Sequence, residues 1–176
     1  MASLPPDGLL VRPAASHDVA PLCEILNVII GIGGTTAYET PMTHAAFSRI
    51  FIDGEDCLTC LVAEDARTAV PLGFQALSRY PGLPDGWADI GTFARAKPKV
   101  PGVGTALFEH TKAKAAELGL IAINAVIRAD NTGGLAYYEK MSFETYKVHQ
   151  GVPLQDGTPV DRIFKRYLVR PAAGSR

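Results

Sequence analysis

The chain has 176 residues, 47% of them hydrophobic, enough for one domain with a substantial core. A formal net charge of -1 and a pI near 6.4 leave no basic footprint, which argues against nucleic acid as a primary partner. No apolar run approaches the ~20 residues of a membrane span, and Met1-Ala-Ser-Leu-Pro-Pro6 lacks the charged start and apolar core of a signal peptide, so no membrane partner and a cytoplasmic location are expected.

In chain order, residues 1–8 read as a disordered tail and Leu9–Pro13 as a first strand. Ser16 is placed to cap a helix with Asp18 in its first turn, and Val19, Leu22, Leu26 and Ile29 keep helical spacing until Gly31, Gly33 and Gly34 end it. A loop, Thr35 to Pro41, carries Tyr38 and Glu39, and a second helix follows from about Thr43 to Ile52. Strands are expected near Leu58–Glu64 and Leu72–Arg79, with Asp65-Ala-Arg-Thr68 as the turn between them. Cys57 and Cys60 have metal or redox spacing, but no second pair accompanies them. An alternating strand would also turn the two thiols to opposite faces, so a structural role is expected for both. Three cysteines and four scattered histidines indicate neither a disulfide framework nor a metal site.

The sequence then concentrates its signals. Trp87–Ala94 reads as a strand with Asp89, Gly91 and Phe93 on one face and Ile90, Thr92 and Ala94 on the other. Lys99-Val-Pro-Gly-Val-Gly-Thr105 leads into an amphipathic helix, roughly Gly102 to Leu118, which Gly119 stops. Strand, glycine loop and helix can hold a phosphate, because the first amides of a helix have no internal partner and glycines let the anion approach. Alone the loop is weak: it lacks the third glycine and following acid of a dinucleotide fingerprint, and the Gly-Lys-Ser/Thr of a Walker loop. An ordinary tight turn would look the same. Ile121–Ile127 follows as a buried strand, Asn131–Ser142 as a short helix, and Thr145–His149 and Val160–Val169 as two last strands. The turn Leu154–Gly157 joins those two, and residues 171–176 read as a second disordered tail.

Lys99, Gly102 and Gly104, followed by Asn131, Tyr138, Lys140 and Phe143, make the chain resemble the GNAT superfamily of acetyl-CoA-dependent N-acetyltransferases. The two motifs stand in the family's order, Gln/Arg-x-x-Gly-x-Gly/Ala and then Asn-x-x-Ala/Ser-x-x-x-Tyr-x-Lys-x-Gly-Phe. The departures are Lys99 for Gln/Arg, Gly134 for Ala/Ser and Ser142 for Gly. Val11–Ala14, Ala20–Asn27 and Tyr38–Pro41 are most similar to the phosphinothricin and amino-acid-analogue acetyltransferase branch.

The resemblance implies a single α/β (α+β mixed) domain over residues 9–170. Its central mixed, mostly antiparallel sheet would have about seven strands, splayed at strands 4 and 5 and flanked by about four helices. It implies acetyl-CoA as co-substrate, no metal, and transfer to the primary amine of a small molecule, an amino acid or amino-acid analogue such as phosphinothricin or methionine sulfone or sulfoximine. Thr92, Phe93 and Ala94 would bind the pantetheine arm, and a backbone N–H there would polarise the thioester carbonyl. Lys99, Val100, Pro101, Gly102, Val103, Gly104 and Thr105 would hold the pyrophosphate, with the Asn131 side chain on the pantetheine. Asp89 is the expected base and Tyr138 the acid toward the thiolate, while Tyr137 is expected in the core. Tyr38, Glu39 and Arg79 are the expected substrate contacts, with Glu39 the spare base and Arg162 a further cation for a substrate carboxylate. Members of the branch commonly form homodimers, which the residues themselves do not decide. Two other readings stay open at this point: a CoA-binding or regulatory module without chemistry, and a nucleotide-binding domain.

Overall fold

A computed structural model of the chain describes residues 8–170. They form β1 (Leu9–Pro13), α1 (Val19–Ile32), α2 (His44–Phe51), β2 (Cys57–Asp65), β3 (Pro71–Ser78) and β4 (Trp87–Ala94). The chain continues with α3 (Val103–Glu117), β5 (Ala122–Arg128), α4 (Thr132–Lys140), β6 (Glu144–Pro153) and β7 (Pro159–Leu168). The expected tails lie outside the described residues except for Gly8, whose carbonyl accepts from Ala66 N at 2.8 Å.

The strands make one sheet in the order β1-β2-β3-β4-β5-β7-β6. Every pair is antiparallel except β4 and β5, which α3 connects as the crossover that parallel strands require. Their ladder has only the pairs Trp87–Ala122, Ala88–Ile123 and Asp89–Asn124. Beyond Asp89 the two strands part, whereas β4 stays paired with β3 up to Ala94. The expected splay between strands 4 and 5 therefore opens at Asp89.

Period-2 alternation sorts the core onto the two faces of the sheet. Cys60 and Val62 of β2 pack with α1 and α2 around Phe47, Phe51, Phe74 and Phe93, while Leu61 and Ala63 face Val103 and Leu107 of α3. On β5, Ile123, Ala125 and Ile127 join Phe108, Tyr138 and Phe143, which leaves Asn124, Val126 and Arg128 to the other face. Thr43 caps α2 through its hydroxyl, which accepts from Ala46 N at 3.2 Å, and Asp65 accepts from the amides of Arg67 and Thr68 to make the expected turn.

Some expectations fail locally. Ser16 opens a single 3-10 turn that moves the α1 cap position to Asp18, whose carboxylate is drawn away to Ala15 N and to Arg12 at 2.7 Å, so no side chain caps α1. Gly31 lies inside α1, and Gly33, at φ 78°, ends it. Cys57 and Cys60 both pack on the aromatic cluster of α1 and α2, because a register shift between Cys57 and Thr59 cancels the alternation. Both thiols are free, and β6 runs on to Pro153.

Candidate active site

At the near end of the splay, α3 starts from Gly102, held at φ 86° in the left-handed region that a side chain would strain. Its first internal bond runs from Ala106 N to Gly102 O, so the amides of Val103, Gly104 and Thr105 come before any helical partner. Val103 is 2% exposed against Leu61 and Leu72, which anchors this open helix end in the core. A cleft of about 1710 Å³ runs from these amides along β4 and into the splay.

The cleft brings together nearly every expected residue. Asp89, Thr92, Phe93 and Ala94 line it from β4, Lys99 through Thr105 from the loop, Asn131 and Tyr138 from α4, and Tyr38 and Arg79 from its far rim. Glu39 is not on its wall: its carboxylate accepts from Gln155 N at 3.2 and 3.1 Å and ties the α1–α2 loop to the β6–β7 turn. Asn131 has its side chain engaged too, accepting from Gly134 N at 2.9 Å as the α4 cap and donating to Thr35 O at 3.0 Å. A Cβ at Gly134 would run into that amide, which explains glycine where the resemblance has Ala or Ser. Arg79 donates to Glu55 O at 2.9 Å.

Asp89 sits where the β4–β5 ladder ends, and Asn124, its ladder partner, donates to its Oδ1 at 2.6 Å. The Tyr146 hydroxyl in turn donates to Asn124 Oδ1 and so fixes the amide's orientation. Burial raises the Asp89 carboxyl to about 6, and the Asn124 bond opposes only part of that rise. A carboxylate near 6 is ionised at neutral pH yet basic enough to take a proton. Its charge is felt at Tyr38, whose phenol is pushed up by burial first and by Asp89 second.

Tyr138 is 8% exposed, and its hydroxyl lies 2.9 Å from Thr92 Oγ1 on β4. Burial pushes this phenol well above its ordinary value, against the hydrogen bond from Thr92. Tyr137 was expected in the core, but its hydroxyl donates to Gly104 O at 2.8 Å and accepts from Gln75 Nε2 at 3.1 Å. Burial raises it to about 12. Neighbouring tyrosines on α4 thus reach α3 and β4 separately, because α4 sits in the corner between them. Sequence reasoning missed Asn124, Tyr146, Gln75 and this role of Tyr137. The only signal for them was polar residues at positions otherwise read as strand or helix interior.

Among the described residues, no group of three or more His, Cys, Asp or Glu side chains gathers to hold a metal, and no helix is long and apolar enough to cross a membrane.

A splayed seven-stranded sheet with α1 and α2 on one face and α3 and α4 on the other is the GNAT fold, the fold of the N-acetyltransferases. The chain is similar in shape to the phosphinothricin acetyltransferase of Sinorhizobium meliloti, solved in complex with acetyl-CoA. The identity is 21% and the TM-score 0.79, over 95% of this chain and 95% of that one. A GCN5-related N-acetyltransferase from Kribbella flavida matches with 21% identity and a TM-score of 0.81 over 93% of this chain and 99% of its own. An N-acetyltransferase from Staphylococcus aureus Mu50 matches with 17% identity and a TM-score of 0.81, over 92% and 99%. No family model and no curated protein sequence matches the chain.

Proposed function

We propose that the protein is a cytoplasmic N-acetyltransferase that moves the acetyl group of acetyl-CoA to the primary amine of a small molecule, an amino acid or amino-acid analogue. The observation that carries this reading is the pairing of a half-buried acid and a buried phenol in one cleft that ends on open helix amides. Asp89 and Tyr138 both line it, and the Asp89 charge is among the causes that raise the Tyr138 phenol. A carboxyl raised to about 6 in the same cleft as that phenol fits a proton-transfer role.

The residues present fit acetyl-CoA. The amides of Val103, Gly104 and Thr105 would face the pyrophosphate with the helix dipole behind them, Gly102 leaves its approach clear, and Gly104 makes room for the Tyr137 ring. From Ile90 onward β4 has a free edge, so its main chain can pair with the pantetheine arm and one of its N–H groups can polarise the thioester carbonyl. Asp89 takes the proton from the substrate ammonium, and the freed amine attacks the acetyl carbon. As the C–N bond forms and the C–S bond breaks, the electron pair goes to sulfur and the attacking nitrogen releases its second proton to solvent. Tyr138 donates a hydrogen bond to that sulfur; its proton passes over as CoA leaves, and the phenolate regains one from solvent. The raised phenol makes full transfer costly until the sulfur carries charge, which suits a donor that acts late.

Arg162 supports a substrate with an acid group. It stands in one register row with Arg128 and His149 across β5, β7 and β6, and all three line the cleft. Arg128 is held by Asp130 through bonds of 2.9 and 2.6 Å, whereas Arg162 donates only to Val160 O, at 3.3 Å. An anionic substrate can engage that guanidinium while its amine faces Asp89. Thiol release from acetyl-CoA, followed with amino acids, their analogues and the matching decarboxylated amines, tests the reading. Turnover with the acids and little with the decarboxylated amines is expected. Equal turnover would remove Arg162, and no release with any amine would remove the transferase.

A further inference from the structure

Behind the Tyr138 hydroxyl lies a side chain that the reaction described above does not use. Gln75 is 0% exposed in β3, directly across the ladder from Thr92. Its Nε2 is 2.8 Å from Thr92 Oγ1 and 3.1 Å from the Tyr137 hydroxyl. One end of this cluster fixes the polarity of the whole. The Gly104 carbonyl can only accept, so the Tyr137 hydroxyl, 2.8 Å away, donates to it. A phenol has one proton, so Tyr137 must accept from Gln75, and the Gln75 atom at that point is its nitrogen. The second hydrogen of the same amide then goes to Thr92 Oγ1.

We propose that Gln75 and Thr92 are positioning residues that turn the Tyr138 O–H toward the thioester sulfur. With Gln75 donating to one lone pair of Thr92, the Thr92 proton is free to go to Tyr138, 2.9 Å away. The Tyr138 proton is then left pointing into the cleft. The reverse order, Tyr138 donating to Thr92, would leave only a lone pair facing the sulfur. Negative charge developing on sulfur selects the first order, and a run of donors pointing one way strengthens each link. The bond from Thr92 also opposes the upward push of burial on the phenol. Because Gln75 is sealed from solvent, water cannot take over its donation.

This inference rests on the acetyl-transfer reading, and steady-state kinetics on six variants test both. Thr92→Val removes the hydroxyl and keeps the shape and main chain. It should lower kcat about tenfold or more while the acetyl-CoA KM changes less than about threefold, and Thr92→Ser should restore most of the rate. Introduced into Tyr138→Phe, the same Thr92→Val change should cost less than about twofold, because Thr92 acts through the phenol. Gln75→Leu should show the same loss of kcat, and it too should vanish in the Tyr138→Phe background. If its core placement prevents folding, the Thr92 pair decides. Additive losses in the double variant, or an unimpaired Thr92→Val enzyme beside a slow Tyr138→Phe enzyme, would overturn the relay and leave the transferase intact. A wild-type chain that transfers acetyl to no amine would defeat both.

Discussion

Asp89 carries the sharpest consequence of its surroundings. Burial lifts its carboxyl to about 6, so kcat/KM should rise with pH through about 6 and level off above it, and Asp89→Asn should abolish that limb together with most of the turnover. The same shift acts on stability with a fixed sign. Between about 4 and about 6 the unfolded carboxyl has ionised while the folded one still holds its proton, so folding stability falls as pH rises across that window. Asp89→Asn removes this loss and should be more stable than the native chain at pH 8, by at most about 3 kcal/mol, and near parity at pH 4. Urea melts at the two pH values check it; an advantage that is the same at both would contradict a raised carboxyl. Tyr138→Phe should cut turnover at least about tenfold and leave acetyl-CoA binding nearly unchanged. Full turnover without the hydroxyl would take Tyr138 out of the mechanism.

At the scale of elements, the ends of α3 and α4 show how much the residues alone disclose. The Trp87–Ala94 strand and the Gly102 start of α3 were legible, because period-2 alternation and a glycine before a helix are local signals. The Asn124 bond to Asp89 was not, since it joins strands that meet only through a crossover. Gln75 looked like strand interior and Tyr137 like the buried phase of a helix. Only the corner between α3, α4 and β4 gives their polar atoms partners. The bulge at Cys57 and the full length of β6 were equally hidden, because a register shift and an edge strand exposed along nearly all its length leave no apolar period to read. One departure from the family motif makes its own prediction. Ser142 follows α4 at φ 67°, in the left-handed region, where the resemblance has glycine. Ser142→Gly should therefore raise stability by up to about 1 kcal/mol, the relief of strain being partly offset by a looser unfolded chain. A lower melting temperature would show that Ser142 contributes something its backbone does not reveal.

The whole molecule is a sheet held open at one seam. On one side of the seam β1 to β4 are locked together, with Arg12 clamped between Asp18 at 2.7 Å and Glu64 at 2.8 Å. On the other side β5, β7 and β6 form a continuous antiparallel ladder. Besides the apolar cluster that Leu77 and Ile90 share with Ile123 and Phe143, the seam is crossed by three β4–β5 ladder pairs, the Asn124 bond to Asp89, the Tyr138 contact to Thr92, the Tyr137 bonds to Gln75 and Gly104, and the loop contacts of Glu39 and Asn131. A ligand that fills the seam therefore couples the two halves and should stabilise the folded state strongly. Thermal unfolding with acetyl-CoA, CoA, ATP and NAD in parallel is the most direct test of the central claim. At 100 times its Kd a ligand adds about 2.7 kcal/mol, several degrees for a chain of this size. The account predicts that shift with acetyl-CoA and CoA and none with NAD or ATP. No shift with acetyl-CoA or CoA, or a shift with NAD or ATP alone, would mean that the glycine loop and the cleft serve something other than acetyl transfer.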